Sequence, residues 1–258
     1  MSNINEAALK LRNSSKTGTT CSPVRELIGA TNIEAAYKVQ EINIAERIEK
    51  GAKPVGCKVG LTSFAVQKQL GVDQPDFGIL LDDMLVSGTV DYHLLMQPKV
   101  EAEVAFVLKS DLPQGEVTEK ALVEAIDYAV ASIEIVGSRV ENWDIRITDT
   151  IADNASASHF VLGSEHVILG NFDLVGCQMK LWLNDELVSE GKGEACMGSP
   201  INAGLWLANT LAKLGNPLKA GDMILSGALG PMAPVKPGDR VRATIDGLGE
   251  VWVNFSAI

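Results

Sequence analysis

The spacing of hydrophobic positions changes near residue 53. Before it, in TNIEAAYKVQEINIAERIEKG (residues 31–51), Ile33, Tyr37, Ile44 and Ile48 recur near one helical face. Thr31 and Glu34 stand at capping-box spacing and Gly51 closes the segment, so the pattern predicts a helix, and the first fifty residues read as helical throughout. From Lys53 onward short apolar runs are broken by Gly, Pro and Asp: VGCKVGLTS, VEAEVAFVL, ASIEIVGS, ASHFVLG, CQMKLWLNDELVSEG, DMILSGAL and RVRATIDGLGEVWVNF. These predict strands, two of them folded as hairpins about Asn184-Asp185 and Asp246-Gly247. Two helices interrupt them: TEKALVEAIDYA, starting at Thr118, and a segment from Ser199-Pro200 to Gly215 with proline at its first helical position. There is no internal repeat, low-complexity tract or linker. The expectation is an α+β protein with a helical N-terminal region (1–52) docked on a mixed β catalytic domain (53–258).

One strand contradicts its own surroundings. In QPKVEAEVAFVL (residues 97–108) the period of two puts Glu101 and Glu103 on one face with Ala105 and Val107. The other face is wholly apolar: Val100, Ala102, Val104, Phe106 and Leu108. Two carboxylates roughly 7 Å apart on a buried face repel each other and are costly to desolvate. Pairing with Lys or Arg, sharing of a proton, or a divalent cation would each resolve this; a solvated sheet edge would remove the problem and is about as common. The next strand, AVASIEIVGSR, repeats the anomaly at Glu134, with Ser132 and Val136 on its face. Three glutamates, each inside an apolar strand, favour one hard cation, Mg²⁺ or Mn²⁺, with coordination positions left open for substrate. Only three histidines occur in the chain, which argues against a typical zinc or non-haem iron site.

Other positions carry weaker signals. Lys58 lies within an apolar strand between Gly56 and Gly60, where a depressed pKa would suit an acid/base or an anion clamp, and a structural ion pair is the plain alternative. Asp76 follows Pro75 in an expected turn, where local backbone hydrogen bonds would explain it equally well. DTIADNASAS (149–158) has the composition of an anion-binding or capping loop, and ILSGALGPM (224–232) ends a strand in Ser226-Gly227. GKGEACMG does not match a dinucleotide-binding glycine pattern, and His159 has no triad companions. His93 and His166 read as ordinary loop residues.

Composition narrows the partners. A net charge of −11, from 33 acidic against 22 basic residues, repels phosphate backbones and makes nucleic acid an improbable partner. The same charge repels an anionic metabolite unless a local cation overrides it. Four dispersed cysteines form no CxxC pair, no apolar run reaches the roughly 18 residues of a membrane span, and residues 1–16 lack a secretory h-region. A cytoplasmic protein with reduced thiols is expected.

Seven segments in order, VGCKVGLTS, LGVDQPDFG, QPKVEAEVAFVL, EIVGSR, DTIADNAS, GSPINAGLWLANTLAKLG and ILSGALGPM, resemble the fumarylacetoacetate hydrolase superfamily. Within it they are similar to the 2-hydroxypenta-2,4-dienoate hydratases, from about Pro23 to the last residue. The resemblance implies a mixed β-roll, Mg²⁺ or Mn²⁺ at Glu101, Glu103 and Glu134, acid/base roles for Lys58 and Asp76, and a pocket lined by Ser156, Ser226 and Gly227. It also implies a 2-hydroxy-dienoate or 2-oxo acid substrate and a homo-oligomer, with a neighbouring pathway enzyme as a further partner. The related 4-oxalocrotonate decarboxylases have a non-acidic residue in place of Asp76 and an aspartate in place of Gly137, so both positions follow the hydratases. Ala157-Ser158 replaces the hydratases' usual Cys-Gly. Decarboxylation of a 2-oxo-dicarboxylate and C–C hydrolysis of an acylpyruvate at the same metal remain alternatives, and a non-catalytic partner subunit is disfavoured by the intact set of five polar residues.

Overall fold

The structure is a computed structural model and describes residues 2–257 apart from 65, 66, 68–71 and 73. Residues 70, 71 and 73 of LGVDQPDFG therefore lie outside the described residues. Helix α1 (Asn3–Thr17) is capped by Ser2, whose side chain accepts the Asn5 N–H, and ends at Gly18 in the left-handed conformation. After the short α2 (Arg25–Ile28), α3 (Ile33–Glu49) starts one residue later than the capping-box spacing predicts: Asn32, not Thr31, accepts the Ala35 N–H. Its buried stripe is Ala35, Ala36, Val39, Gln40 and Ile44, while Ile48 is 41% exposed. Small residues set that stripe because α3 packs closely on its neighbours.

The β region forms two sheets. The larger runs β2 (Asp76–Leu81), β1 (Pro54–Gly60), β9 (Met223–Ala228), β4 (Lys99–Leu108), β5 (Ile126–Val136), β6 (Ala157–Leu162), with β10 (Ala233–Pro234) pairing beside β4. Its neighbours are antiparallel except β1 and β9. The smaller runs β3 (Thr89–Val90), β12 (Gly249–Phe255), β11 (Arg240–Ile245), β7 (Gln178–Leu183), β8 (Glu186–Lys192), and both predicted hairpins lie in it. The apolar face of β4 (Val100, Ala102, Val104, Phe106) and the matching face of β5 (Ala129, Ala131, Ile133, Ile135) share one core with Leu181, Val241, Ala243, Val251 and Val253 of the smaller sheet. The face bearing the glutamates points the other way.

Three further local predictions differ from the structure. Asp76 is not in a turn; it opens β2, paired with Gly60. The helix predicted over TEKALVEAIDYA stops early: α4 (Glu119–Ala125) gives way to β5 because Ile126, Tyr128 and Val130 pair along β4 and become strand. The segment 149–158 is not an open loop. It contains the end of α5 (Ile147–Ala152) and a tight turn in which Asn154, Ala155 and Ser156 all have positive φ, 57°, 52° and 56°. The remaining helix, α6 (Pro200–Lys213), is capped by Ser199 and begins at Pro200 as predicted.

The N-terminal helices reach the sheets through α5. Ala7, Ala8 and Leu11 of α1 and Ala36 and Val39 of α3 form a cluster with Val140, Ile147 and Ile151. Gln40 adds a buried polar link to β2 and α5. The core between the sheets is the main source of stability, and Phe106 at its centre is fully buried. Phe106→Ala is expected to cost about 3–5 kcal/mol, read as a lower urea midpoint with unchanged slope.

Candidate metal centre and active site

Strand β4 lies between β9 and β5, so the glutamate face is no sheet edge. Glu101 is 9% exposed, Glu103 0% and Glu134 1%. Antiparallel register puts Glu101 directly opposite Glu134, and Glu103 follows two residues along the same face. One carboxylate oxygen from each lies within 4.8 Å of the others. Glu103 Oε2 accepts the Gly227 N–H at 2.8 Å, whereas Glu103 Oε1 and both Glu134 oxygens have no hydrogen-bond donor. Three buried oxygens without a hydrogen bond, one of them facing only the Lys58 ammonium, converge from two adjacent strands and form the donor set a hard divalent cation requires.

Lys58 stands beside them on β1, with its Nζ 3.2 Å from Glu134 Oε2 and 2.9 Å from the Ala155 carbonyl oxygen to which it donates. The sequence expectation of a depressed pKa is corrected here. Burial alone would lower it, but Glu134, Glu101, Asp76 and Glu103 together overcome that and hold the ammonium charged. Asp76, buried on β2, accepts a hydrogen bond from Thr150 Oγ1 at 3.1 Å. A Cβ added to Gly60 would lie 2.2 Å from Asp76 Oδ1 and 3.4 Å from Lys58 Nζ, so only glycine lets these two groups approach across β1 and β2. Burial pushes the Asp76 carboxyl above its ordinary range, against the opposing pull of Lys58 and Thr150.

A cavity of about 430 Å³ opens onto these groups. Lys58, Asp76, Glu101, Thr150 and Ser156 supply its polar wall, and Leu61, Val136, Trp143, Ile145 and Met232 much of its apolar wall. Ser156 lines the cavity, its hydroxyl 3.4 Å from Thr150 Oγ1. Ser226 and Gly227 do not: β9 carries them behind the carboxylates, where the Gly227 N–H holds Glu103, and Ala228, Gly230 and Pro231 face the cavity instead. Thr150, Asn154 and Trp143 were not singled out by sequence. Asn154 fastens the left-handed turn to β2, accepting the Ile79 N–H and donating to the Ile79 carbonyl at 2.8 and 2.9 Å, and so aims the Ala155 carbonyl at Lys58. The donor-rich composition of 149–158 was the available signal for Thr150 and Asn154.

The family model for the fumarylacetoacetate hydrolase C-terminal region matches residues 65–255. The chain belongs to the fumarylacetoacetate hydrolase family. Among relatives, 2-keto-4-pentenoate hydratase 1 of Dechloromonas aromatica is 51% identical over 252 residues, 97% of this chain and 96% of that protein. The TodF product hydratase of Pseudomonas putida is 51% identical over 255 residues, 98% of this chain and 95% of its own length. Among solved structures, a 4-oxalocrotonate decarboxylase from Pseudomonas putida G7, complexed with magnesium and adipate, superposes with a TM-score of 0.92 at 34% identity, covering 98% of this chain and 97% of that one. The family's mixed β architecture with added helices is thus the one seen here.

The carboxylate cluster has a measurable electrostatic signature. Burial first, then Glu134 and Glu101, drive the Glu103 carboxyl well above its ordinary value, and burial raises Glu134 to about 7 despite the attraction of Lys58. A carboxyl raised on folding binds more protons in the folded than in the unfolded chain between the two values, so cation-free stability falls as pH rises through that window. Glu103→Gln keeps an acceptor for Gly227 but removes one charge. In the presence of a chelator at pH 8 the variant is expected to melt at a higher temperature than wild type, with the difference vanishing near pH 4. Mg²⁺ or Mn²⁺ at about 100 times its dissociation constant is expected to stabilise wild type by about 2.7 kcal/mol and the variant far less, as followed by thermal melting.

Proposed function

We propose that this chain is a divalent-cation-dependent hydro-lyase that adds water to 2-hydroxypenta-2,4-dienoate to give 4-hydroxy-2-oxopentanoate, a step of meta-cleavage aromatic catabolism. The observation that carries the reading is the convergence of three buried glutamate carboxylates with Lys58 and Asp76 beside a largely apolar cavity. Relatives half identical over nearly the whole chain, named as hydratases, support the reaction class. Glu101, Glu103 and Glu134 would hold Mg²⁺ or Mn²⁺. Such a cation supplies a Lewis-acid charge for the substrate's carboxylate and C2 oxygen, and a local positive field in a chain of net charge −11.

The protein's own groups then move protons. Ketonisation removes the proton of the C2 hydroxyl and delivers one to C5, leaving an α,β-unsaturated 2-oxo acid. Water adds at C4, its proton is taken up, and C3 receives a proton, so that the sum is substrate plus one water. Lys58 and Asp76 give and take these protons, each at the cavity wall. Three of the four carboxylates that hold Lys58 charged are the cation's own ligands, so with their charge neutralised Asp76 alone would hold its proton, which would then exchange more readily. Asp76, raised by burial, sits closer to neutrality than an exposed aspartate, and Thr150 and Ser156 orient it and the water.

Decarboxylation of a 2-oxo-dicarboxylate is the second reading, favoured by the backbone match to the decarboxylase. Gly137 argues against it: a Cβ there would lie 2.8 Å from the Met96 carbonyl oxygen, so the aspartate of that branch has no room on this backbone. On the hydratase reading residues 53–258 carry the chemistry and residues 1–52 support it. Exposed large apolar side chains such as Leu94, Ile168 and Trp252 support assembly as a homo-oligomer. Among the described residues no helix is long and apolar enough to cross a membrane, and the four cysteines are free; both agree with a cytoplasmic enzyme.

The deciding experiment gives metal-stripped protein the dienoate with and without Mg²⁺ or Mn²⁺ and follows dienol absorbance and products. Cation-dependent formation of 4-hydroxy-2-oxopentanoate is expected; release of CO₂ from a 2-oxo-dicarboxylate without hydration would establish the second reading instead. Glu101→Ala should abolish cation-dependent turnover. Asp76→Asn should lower kcat by roughly 10²-fold or more while leaving cation affinity unchanged, and normal turnover by that variant would refute the proton-transfer scheme.

A further inference from the structure

Asp76 is held in place from outside the sheets. Gln40, in the middle of α3 and 4% exposed, donates from one amide nitrogen to two backbone carbonyls: Phe77 at 2.9 Å and Ile151 at 3.2 Å. Phe77 follows Asp76 in β2, and Ile151 follows Thr150 in α5. The Asp76 and Thr150 side chains are hydrogen-bonded to each other. The contacts therefore close a ring, from Gln40 through Phe77 and Asp76, across to Thr150 and Ile151, and back. One turn earlier on the same helix, Tyr37 stacks on Phe77 with ring centroids 4.6 Å apart and planes 22° from parallel. Residue 77 is thus gripped twice by α3, at its carbonyl and at its ring. Both gripping residues precede residue 65, where the match to the family model begins.

A buried glutamine in a helix is costly unless its amide is satisfied, and core packing alone would be served better by leucine or methionine. The amide is satisfied here by fixing two elements whose relative placement determines the Asp76–Thr150 contact. We infer that Gln40 is a positioning residue for the Asp76–Thr150 pair, with Tyr37 as its second grip, so that the helical N-terminal region sets the geometry of proton transfer. This rests on the reading of Asp76 as a proton carrier. Glu101, Glu103 and Glu134 stand on β4 and β5, and neither the hydrogen bonds of Gln40 nor the stacking of Tyr37 reaches them, so cation affinity is expected to be independent of the device.

Gln40→Met keeps the side chain's volume and removes its donors. Since a misplacement on the order of 1 Å costs about 10²-fold, kcat for the dienoate should fall by roughly 10- to 100-fold, with KM and Mg²⁺ affinity held within about twofold. A purely structural role would lower the melting temperature without this split. In a Thr150→Val background, where the pair is already broken, Gln40→Met should reduce kcat by less than about twofold, because groups acting through one contact are not additive. Unchanged kcat in folded Gln40→Met, or the full loss repeated on the Thr150→Val background, would overturn the inference. Should Gln40→Met fail to fold, Tyr37→Leu carries the same comparison. Asp76→Asn run in parallel separates the two failures: normal turnover by that variant removes the reading of Asp76 itself, whereas a crippled Asp76→Asn beside an unaffected Gln40→Met removes only the role of Gln40.

Discussion

Three carboxylates buried on adjacent interior strands, with only one lysine ammonium beside them, set the terms for the rest of this molecule. Water cannot screen them, and a single lysine cannot neutralise three like charges. The strands that bear them are interior to the larger sheet, flanked by β9 on one side and β6 on the other. That placement keeps their Cα positions fixed by ladder hydrogen bonds, so the carboxylates cannot separate to relieve repulsion. A site of this kind suits a divalent cation, whose charge offsets at one point what the fold has concentrated there.

The surrounding parts divide the work by rigidity. The two sheets and their shared apolar core hold the glutamates; β1 and β2 bring Lys58 and Asp76 together over Gly60. The left-handed turn at Asn154–Ser156 supplies a carbonyl to Lys58 and a hydroxyl to the cavity, and it is pinned by Asn154 to β2. Positive φ at three successive non-glycine residues is costly, and such strain persists only where surrounding contacts enforce it. Overall charge and local field then act differently: a net charge of −11 repels anions in general, while a cation held by the three glutamates would supply a local field of the opposite sign.

Backbone and chemistry also separate within the family. The superposition on a decarboxylase is nearly complete at 34% identity, so the scaffold by itself does not select the reaction. On the proposed reading, selection falls to side chains on the cavity wall such as Asp76 and to backbone clearances such as that between Gly137 and Met96.

Most strands, both hairpins and the three glutamates were legible because they depend on local alternation: an anion inside an apolar run is conspicuous whatever surrounds it. Lys58 was legible on the same ground. Tertiary context decided what alternation does not carry. The conversion of Ile126–Ala129 from helix to strand came from pairing with β4, and the promotion of Asp76 from turn to strand came from pairing with Gly60. The charge state of Lys58 depended on carboxylates from three other strands, which reversed the expectation from burial alone. Ser226 and Gly227 were assigned to the pocket by resemblance, and only the path of β9 placed them behind Glu103. The ring from Gln40 to Asp76 spans contacts 37 and 111 residues apart in the chain. A polar residue in a helix has an ordinary reading until the helix is packed, because its hydrogen-bond partners exist only once distant segments meet.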